Sequence, residues 1–393
     1  MALRGRYEER TWAPDFSRSG RAGGAQTYRA FIPSEIADED FALSSASATL
    51  AERAGTAIRD LNASPDDLVS LEGLARQLLR SEALASSQIE GLSLSHKKLA
   101  QAELDEGQGH HKAREIMGNV RAMERAVEIG AGASEWSVDH IAAIHTELAI
   151  VPPLDKIAGQ IREEIGWIGG LAPPDADYVG PPHEHIHPLL TDLCRFMDRD
   201  DVPAVPQAAI AHSQFELIHP FGDGNGRVGR SLIHALFRRR GIAPRYVPPV
   251  SLVLGAHKDS YIAGLERYRD GQVAAWVDQF SRAAELAAGK AEGFSGDVLA
   301  LQERWLERVG TVRKDAAVLT LVDLLPKYPV ITAAVAEKEI GRSREATING
   351  LERLAQAGAL SRHRNQRRGD SWEAKELFAL LDRFEAEVRL PAG

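Results

Sequence analysis

The chain has 393 residues, 44% of them hydrophobic and 26% charged, the balance of a globular protein with a sizeable core and room for about two or three domains. Its 47 Lys and Arg against 56 Asp and Glu give a net charge of −9, which argues against attraction of the whole surface to nucleic acid or membrane. A single cysteine, Cys194, excludes an internal disulfide and predicts a reducing, cytoplasmic setting; no apolar run of about 18 residues predicts a membrane span, and the N-terminus lacks the apolar core of a secretory leader.

In chain order, residues 1 to about 26 are polar and rich in Gly and Arg, and read as a loosely held arm. Leu50 to Leu61 and Leu68 to Ile89 carry apolar residues at helical spacing. The second of these helices ends in Ser86-Ser87-Gln88-Ile89-Glu90-Gly91, with Ser86 and Glu90 one turn apart on one face. Taken alone, that pattern is equally a solvated face closed by a Gly91 cap. Arg114 to Ala131 and Val138 to Leu148 read as further helices. Asn119, His140 and His145 within them read as core partners or surface.

Gly159 to Gly170 breaks the helical pattern. Ile161, Ile165 and Ile168 with paired glycines predict a short hairpin. His183, His185 and His187 alternate in what reads as a loop. That spacing is wrong for helix ligation, and Glu184 is the only acidic neighbour, so a metal role is not favoured. Cys194, in the apolar run Leu193 to Met197, reads as core.

Gln207 to Ile218 and Gly226 to Arg240 read as helices that enclose His219-Pro220-Phe221-Gly222-Asp223-Gly224-Asn225-Gly226-Arg227-Val228-Gly229-Arg230. This stretch spans a tight loop and the first turn of a buried helix. Free N–H groups and a positive dipole end favour anions there, and Gly222, Gly224 and Gly226 let backbone approach a ligand closely. Arg227 and Arg230, three apart, share a helix face and suit phosphate oxygens. Asp223 is a lone carboxylate of the kind that holds Mg2+, and His219 can take a proton near neutral pH. Together these groups describe phosphoryl or nucleotidyl transfer. No Gly-Lys-Ser/Thr follows, which excludes a P-loop, and His234 stands where a calcium loop needs Glu.

Tyr261, Leu265 and Tyr268 then repeat at helical spacing before Trp276, and Ala283 to Glu292 continues as helix or linker. From about Leu299 the pattern changes. Val318–Leu325, Ile331–Ile340 and Arg342–Ala357 read as three helices, and a basic stretch from Arg362 to Gly369 lies between Leu360 and Trp372. This resembles a winged helix-turn-helix with a basic wing at Arg364, Arg367 and Arg368, which leaves DNA and protein open as partners.

The loop from His219 to Arg230 matches at every specified position the signature of the Fic family, His-Pro-Phe-x-Asp/Glu-Gly-Asn-Gly-Arg-x-x-Arg. The resemblance implies a mainly α fold: a Fic-type helical core at about 111–295, with a short β-hairpin flap. An N-terminal arm and helical region would fill 1–110 and a winged helix-turn-helix 296–393. It implies transfer of AMP from ATP to a hydroxyl of a target protein. His219 would be the base and Asp223 the Mg2+ ligand. Gly224, Asn225, Gly226, Arg227 and Arg230 would hold the phosphates, with Tyr261 near the adenine. Ser86, Glu90 and Gly91 match the family's inhibitory Ser-x-x-x-Glu-Gly, which would set Glu90 against Arg230 in place of the γ-phosphate. Ile165, Gly166, Trp167, Ile168 and Gly169 resemble the flap that pairs with an extended target segment, and Tyr178 to Pro182 resembles the link that follows it. Removal of AMP from a modified protein, a nucleotide-sensing DNA-binding regulator, and a homodimer stay open.

Overall fold

A hairpin opens the fold where the sequence suggested an arm. In the computed structural model, residues 5–13, 24–63, 71–104, 111–311, 313, 316–364 and 369–389 are described. Strand β1 (Arg6–Trp12) pairs antiparallel with β2 (Gln26–Ile32), from Arg6 opposite Ile32 to Trp12 opposite Gln26. An isolated two-stranded hairpin is marginal in water. This one is supported because β2 buries Tyr28, Ala30, Phe31 and Ile32, with Tyr28 and Ala30 packed against Val179. β1 is mostly polar and only half covered, which is why composition alone made it look unstructured.

The rest is mainly helical, as expected. Helices α1 (Ser45–Asn62), α2 (Leu71–Ile89), α3 (His96–Leu104), α4 (His111–Gly132) and α5 (Val138–Leu148) come first. Strands β3 (Trp167–Ile168) and β4 (Tyr178–Val179) precede α6 (His183–Met197), α7 (Ala204–Ile218), α8 (Asn225–Arg239), α9 (Val250–Ala256), α10 (Lys258–Arg269) and α11 (Val273–Val309). The chain closes with α12 (Ala317–Leu324), β5 (Val330–Thr332), α13 (Ala333–Ile340), α14 (Arg344–Gln356), β6 (Ser361–His363), β7 (Ser371–Glu373) and α15 (Lys375–Arg389). Since α11 is continuous, the expected boundary at 295/296 falls inside a helix. The compact units interleave instead: Met1–Arg53, Arg121–Ile242 and Asp259–Arg282 form one, and Ala54–Val120, Ala243–Lys258 and Ala283–Gly393 the other.

In the first unit α7 is covered almost all round, from Val205 to Ile218, as a helix without a polar face must be. It packs beside α8, and Trp276 donates its indole N–H to the Ala209 carbonyl at 2.8 Å. Asp192 of α6 accepts the Ile36 and Ala37 N–H groups at 2.6 and 3.1 Å and so pins the segment that follows β2. The alternating histidines lie on α6, not in a loop. Pro182 precedes that helix and Pro188 lies inside it, which disguised the pattern, but Ile186, Leu189, Leu190 and Leu193 form a buried stripe that holds it.

In the second unit the buried Glu82 carboxylate of α2 accepts the Ser251 N–H at 2.7 Å and its hydroxyl at 2.5 Å, a negative charge at the N-terminus of α9. The C-terminal part sets α12, α13 and α14 beside an antiparallel sheet in the order β5-β7-β6. Trp305 of α11 is buried and donates its indole N–H to Glu376 of α15 at 2.7 Å.

Candidate active site

Helix α7 ends at His219 in the left-handed conformation, φ 49°, the sole non-glycine residue with positive φ among the described residues. Such a backbone costs of order 1–3 kcal/mol and persists only where its surroundings over-determine it. Arg162 supplies that constraint. Its side chain is buried and donates to the carbonyls of His219 at 2.7 Å, Glu164 at 2.8 Å and Pro181 at 2.8 Å, while its N–H donates to the Pro220 carbonyl at 2.9 Å. One guanidinium thus ties the base of the flap, the Pro181-Pro182 link and the candidate base together. The sequence reading missed Arg162. Two of its side-chain partners, Pro181 and His219, lie 19 and 57 residues away, beyond the reach of any local pattern.

The loop closes on itself through Asn225. Its side-chain oxygen accepts the Phe221 N–H at 2.9 Å and its side-chain nitrogen donates to the Phe221 carbonyl at 2.8 Å. The Asn225 amide group therefore shapes the loop. Gly224 takes φ 83° and precedes Asn225, the first residue of α8. A β-carbon at Gly224 would lie 2.7 Å from Leu148. Phe221 is buried and pairs across a single β-bridge with Ile161.

Arg227 and Arg230 are 3% and 1% exposed, one turn apart at the start of α8. Between them, Gly229 lets α7 and α8 approach, since a β-carbon there would meet Glu216 at 2.5 Å. Asp223 is the contrast: its side chain is 64% exposed and lies 3.7 Å from Arg227, with one oxygen accepting the Gly224 N–H at 2.5 Å. An exposed carboxylate beside a helix N-terminus suits a divalent cation that also touches bound phosphates.

The flap forms, but with a different partner from the one expected. Trp167 pairs with Val179 and Ile168 with Tyr178, so the second strand is the link segment and not the glycine-rich stretch itself. Tyr178 is held by donating its hydroxyl to the Leu217 carbonyl, and burial pushes its titration above the usual phenol range. Trp167 and Ile168 are 41% and 47% exposed, which leaves the outer edge of β3 open to another strand. Gly166 is needed by close approach, because a β-carbon there would lie 2.6 Å from the Arg162 side chain. Gly169 has φ 74°, and Ile165 packs inward against the Tyr28, Ala30 and Val179 cluster.

Tyr261 is a core residue. It is 3% exposed, and its hydroxyl lies 2.8 Å from Nε2 of the fully buried His212. The resemblance implied an adenine contact for Tyr261; its burial and helical spacing are those of a buried face. Cys194 is buried too, and burial pushes its thiol up to about 12, which removes it from thiolate chemistry. Glu8, Glu184 and His185 come within 4.8 Å of one another, but the Arg10 guanidinium already bridges Glu8 and Glu184.

Ser86 is fully buried, while Glu90 and Gly91 are exposed. Helix α2 ends in paired bonds, Gly91 N–H to Gln88 O and Leu92 N–H to Ser87 O, both 3.0 Å, with Gly91 at φ 83°. Glu90 is therefore at the negative end of the helix dipole, where a carboxylate is disfavoured. Lys258 eases this by donating to the Ile89 carbonyl at 2.6 Å.

A sequence profile of the Fic/DOC family matches residues 135–237, and one of the Fic/DOC family N-terminal region matches residues 48–128. The chain is 33% identical over 115 residues to the protein adenylyltransferase fic-1 of Caenorhabditis elegans, 29% of this chain and 22% of that one. It is 30% identical over 112 residues to a probable protein adenylyltransferase of Aquifex aeolicus, 28% of this chain and 32% of that one. The chain thus spans about a third or less of the curated relatives it matches. Among solved structures, a Fic family protein from Desulfovibrio desulfuricans superposes with a TM-score of 0.53 at 21% identity, covering 85% of this chain and 97% of its own, which shows the fold. Residues 48–128 and 135–237 thus resemble, in order, the two regions of the Fic/DOC family, and the chain shares the fold of that solved Fic protein.

Proposed function

We propose that this protein is a protein adenylyltransferase that moves AMP from ATP to a Ser, Thr or Tyr hydroxyl of a target protein. The observation that carries the reading is the meeting, in one loop, of a histidine fixed in left-handed backbone, a glycine-lined helix N-terminus and two buried arginines. The matching relatives are named protein adenylyltransferases, which supports it. His219 takes the proton of the target hydroxyl as its oxygen attacks the α-phosphorus. The bond to the oxygen bridging the α- and β-phosphorus breaks, and pyrophosphate leaves. The N–H groups at the start of α8 receive phosphate oxygens, and Arg227 and Arg230 balance their charge. Asp223 would hold Mg2+, which when bound adds charge neutralisation at the phosphates. The target backbone would lie along the open edge of β3 as an added strand. Ser86, Glu90 and Gly91 restrain the reaction in this reading. The motif match supports that role, as does the position of Glu90 against its own helix dipole.

The deciding experiment gives the purified protein carrying Glu90→Gly ATP labelled at either the α- or the γ-phosphate, with its own chain as acceptor. Label should enter protein from α-labelled ATP alone. Entry from γ-labelled ATP would mean phosphoryl transfer and would overturn the reading.

A further inference from the structure

His145 of α5 lies outside the loop and is fully buried. It touches the loop twice. Its ring stacks on Phe221 with centroids 3.9 Å apart and planes 4° from parallel. Its Nε2 lies 3.1 Å from the Asp223 carbonyl oxygen. On its other side, Nδ1 accepts the Gly159 N–H at 2.9 Å. A backbone N–H can only donate, so Nδ1 carries no proton. The proton of the neutral ring is then on Nε2, and the contact with Asp223 is a donated hydrogen bond.

A trans peptide points its C=O and N–H in opposite directions. Holding the Asp223 carbonyl against α5 therefore aims the N–H of Gly224 the other way, to the side of the loop where it donates to the Asp223 carboxylate at 2.5 Å. Gly224, at φ 83°, would otherwise leave that peptide free to turn over, because glycine accepts either sign of φ. We propose that His145 is a positioning residue for the transfer reaction: its Nε2–H clamps the Asp223–Gly224 peptide so that the Gly224 N–H and the Asp223 carboxylate face bound phosphate and Mg2+. The inference rests on the adenylyltransferase reading for the ligand, while the clamp itself is a property of the loop.

Two substitutions separate the donor from the acceptor. His145→Asn places an amide oxygen near Nδ1 and keeps the Gly159 contact, but loses the donor to Asp223. His145→Gln places an amide nitrogen near Nε2 and keeps the donor, but loses Gly159. With melting curves as a check on folding, amide hydrogen exchange at Gly224 and the transfer rate are measured for both variants and the parent. The Asn variant should exchange faster at Gly224 and lose about 10–100-fold in kcat/KM, the range for removing a group that orients a ligand. The Gln variant should recover most of both. Equal impairment of the two variants, or a parent-like Asn variant, would overturn the clamp. Because Glu90 restrains the parent, all three proteins carry Glu90→Gly; if that background transfers nothing, the function reading alone fails, and Gly224 exchange still decides the clamp.

Discussion

Asn225 is tied to a single residue, Phe221, through both of that residue's backbone groups. Asn225→Ala would leave a buried N–H and a buried carbonyl without partners, each costing about 1–3 kcal/mol. Thermal melting should show that loss, and an unchanged melting temperature would mean the loop closes by other means. His212 makes a second prediction. Burial, aided by the nearby charge of Arg230, lowers its pKa from the usual 6.5 to about 3. The unfolded chain takes up a proton below about pH 6.5, while the folded chain refuses it until about pH 3. Stability is then complete above 6.5 and falls with pH across that window, by up to about 1.4 kcal/mol per unit. His212→Gln should flatten the acid side of a melting-temperature curve, and an unchanged slope would contradict the assignment. Most of the loop was legible residue by residue, because glycine, aspartate, histidine and arginine bring chemistry that does not depend on distant partners. Arg162 and Glu82 were not. Glu82 is a mid-helix acid until Ser251, 169 positions away, gives it two donors.

At the scale of elements, helices α4, α5, α7 and α8 fall within a few residues of their expected bounds, because apolar spacing reports a buried helix face directly. Strands fared worse. β3 finds its partner in Tyr178–Val179, and β1 hides in a polar stretch, since pairing is settled by contacts that no local pattern records. The C-terminal order of helix, strand, two helices and two strands supports the winged helix-turn-helix proposal. Several of its described cations are engaged, while Arg364 of the expected wing is exposed. Arg362 faces Glu352 and Asp370, His363 lies 2.9 Å from Glu373, and Arg353 donates to the Val309 and Thr311 carbonyls. Arg367 and Arg368 of the expected wing lie outside the described residues. With Arg362 held between Glu352 and Asp370, we propose a protein as the better-matched partner for this module. Fluorescence anisotropy with duplex DNA at low salt should show no saturable binding. Binding whose logarithm falls linearly with the logarithm of salt would contradict that.

For the whole molecule, the net charge of −9 agrees with a protein-directed activity, and no helix among the described residues is long and apolar enough to cross a membrane. The account joins a transfer site to a restraint carried by the same chain, and Glu90→Gly tests the restraint. It removes a carboxylate from the unfavourable end of α2 and should raise the rate of AMP incorporation at saturating ATP. Equal rates for the two proteins would exclude Glu90 as the inhibitory residue. The most direct test of the transfer itself is intact-mass spectrometry after incubation with Mg·ATP and a cell extract, comparing Glu90→Gly with Glu90→Gly carrying His219→Ala. The first should place AMP on itself or on a captured target, and the second should be slower by about 10²–10⁴-fold, the contribution of a general base. AMP adducts appearing at the same rate in both proteins would contradict the account.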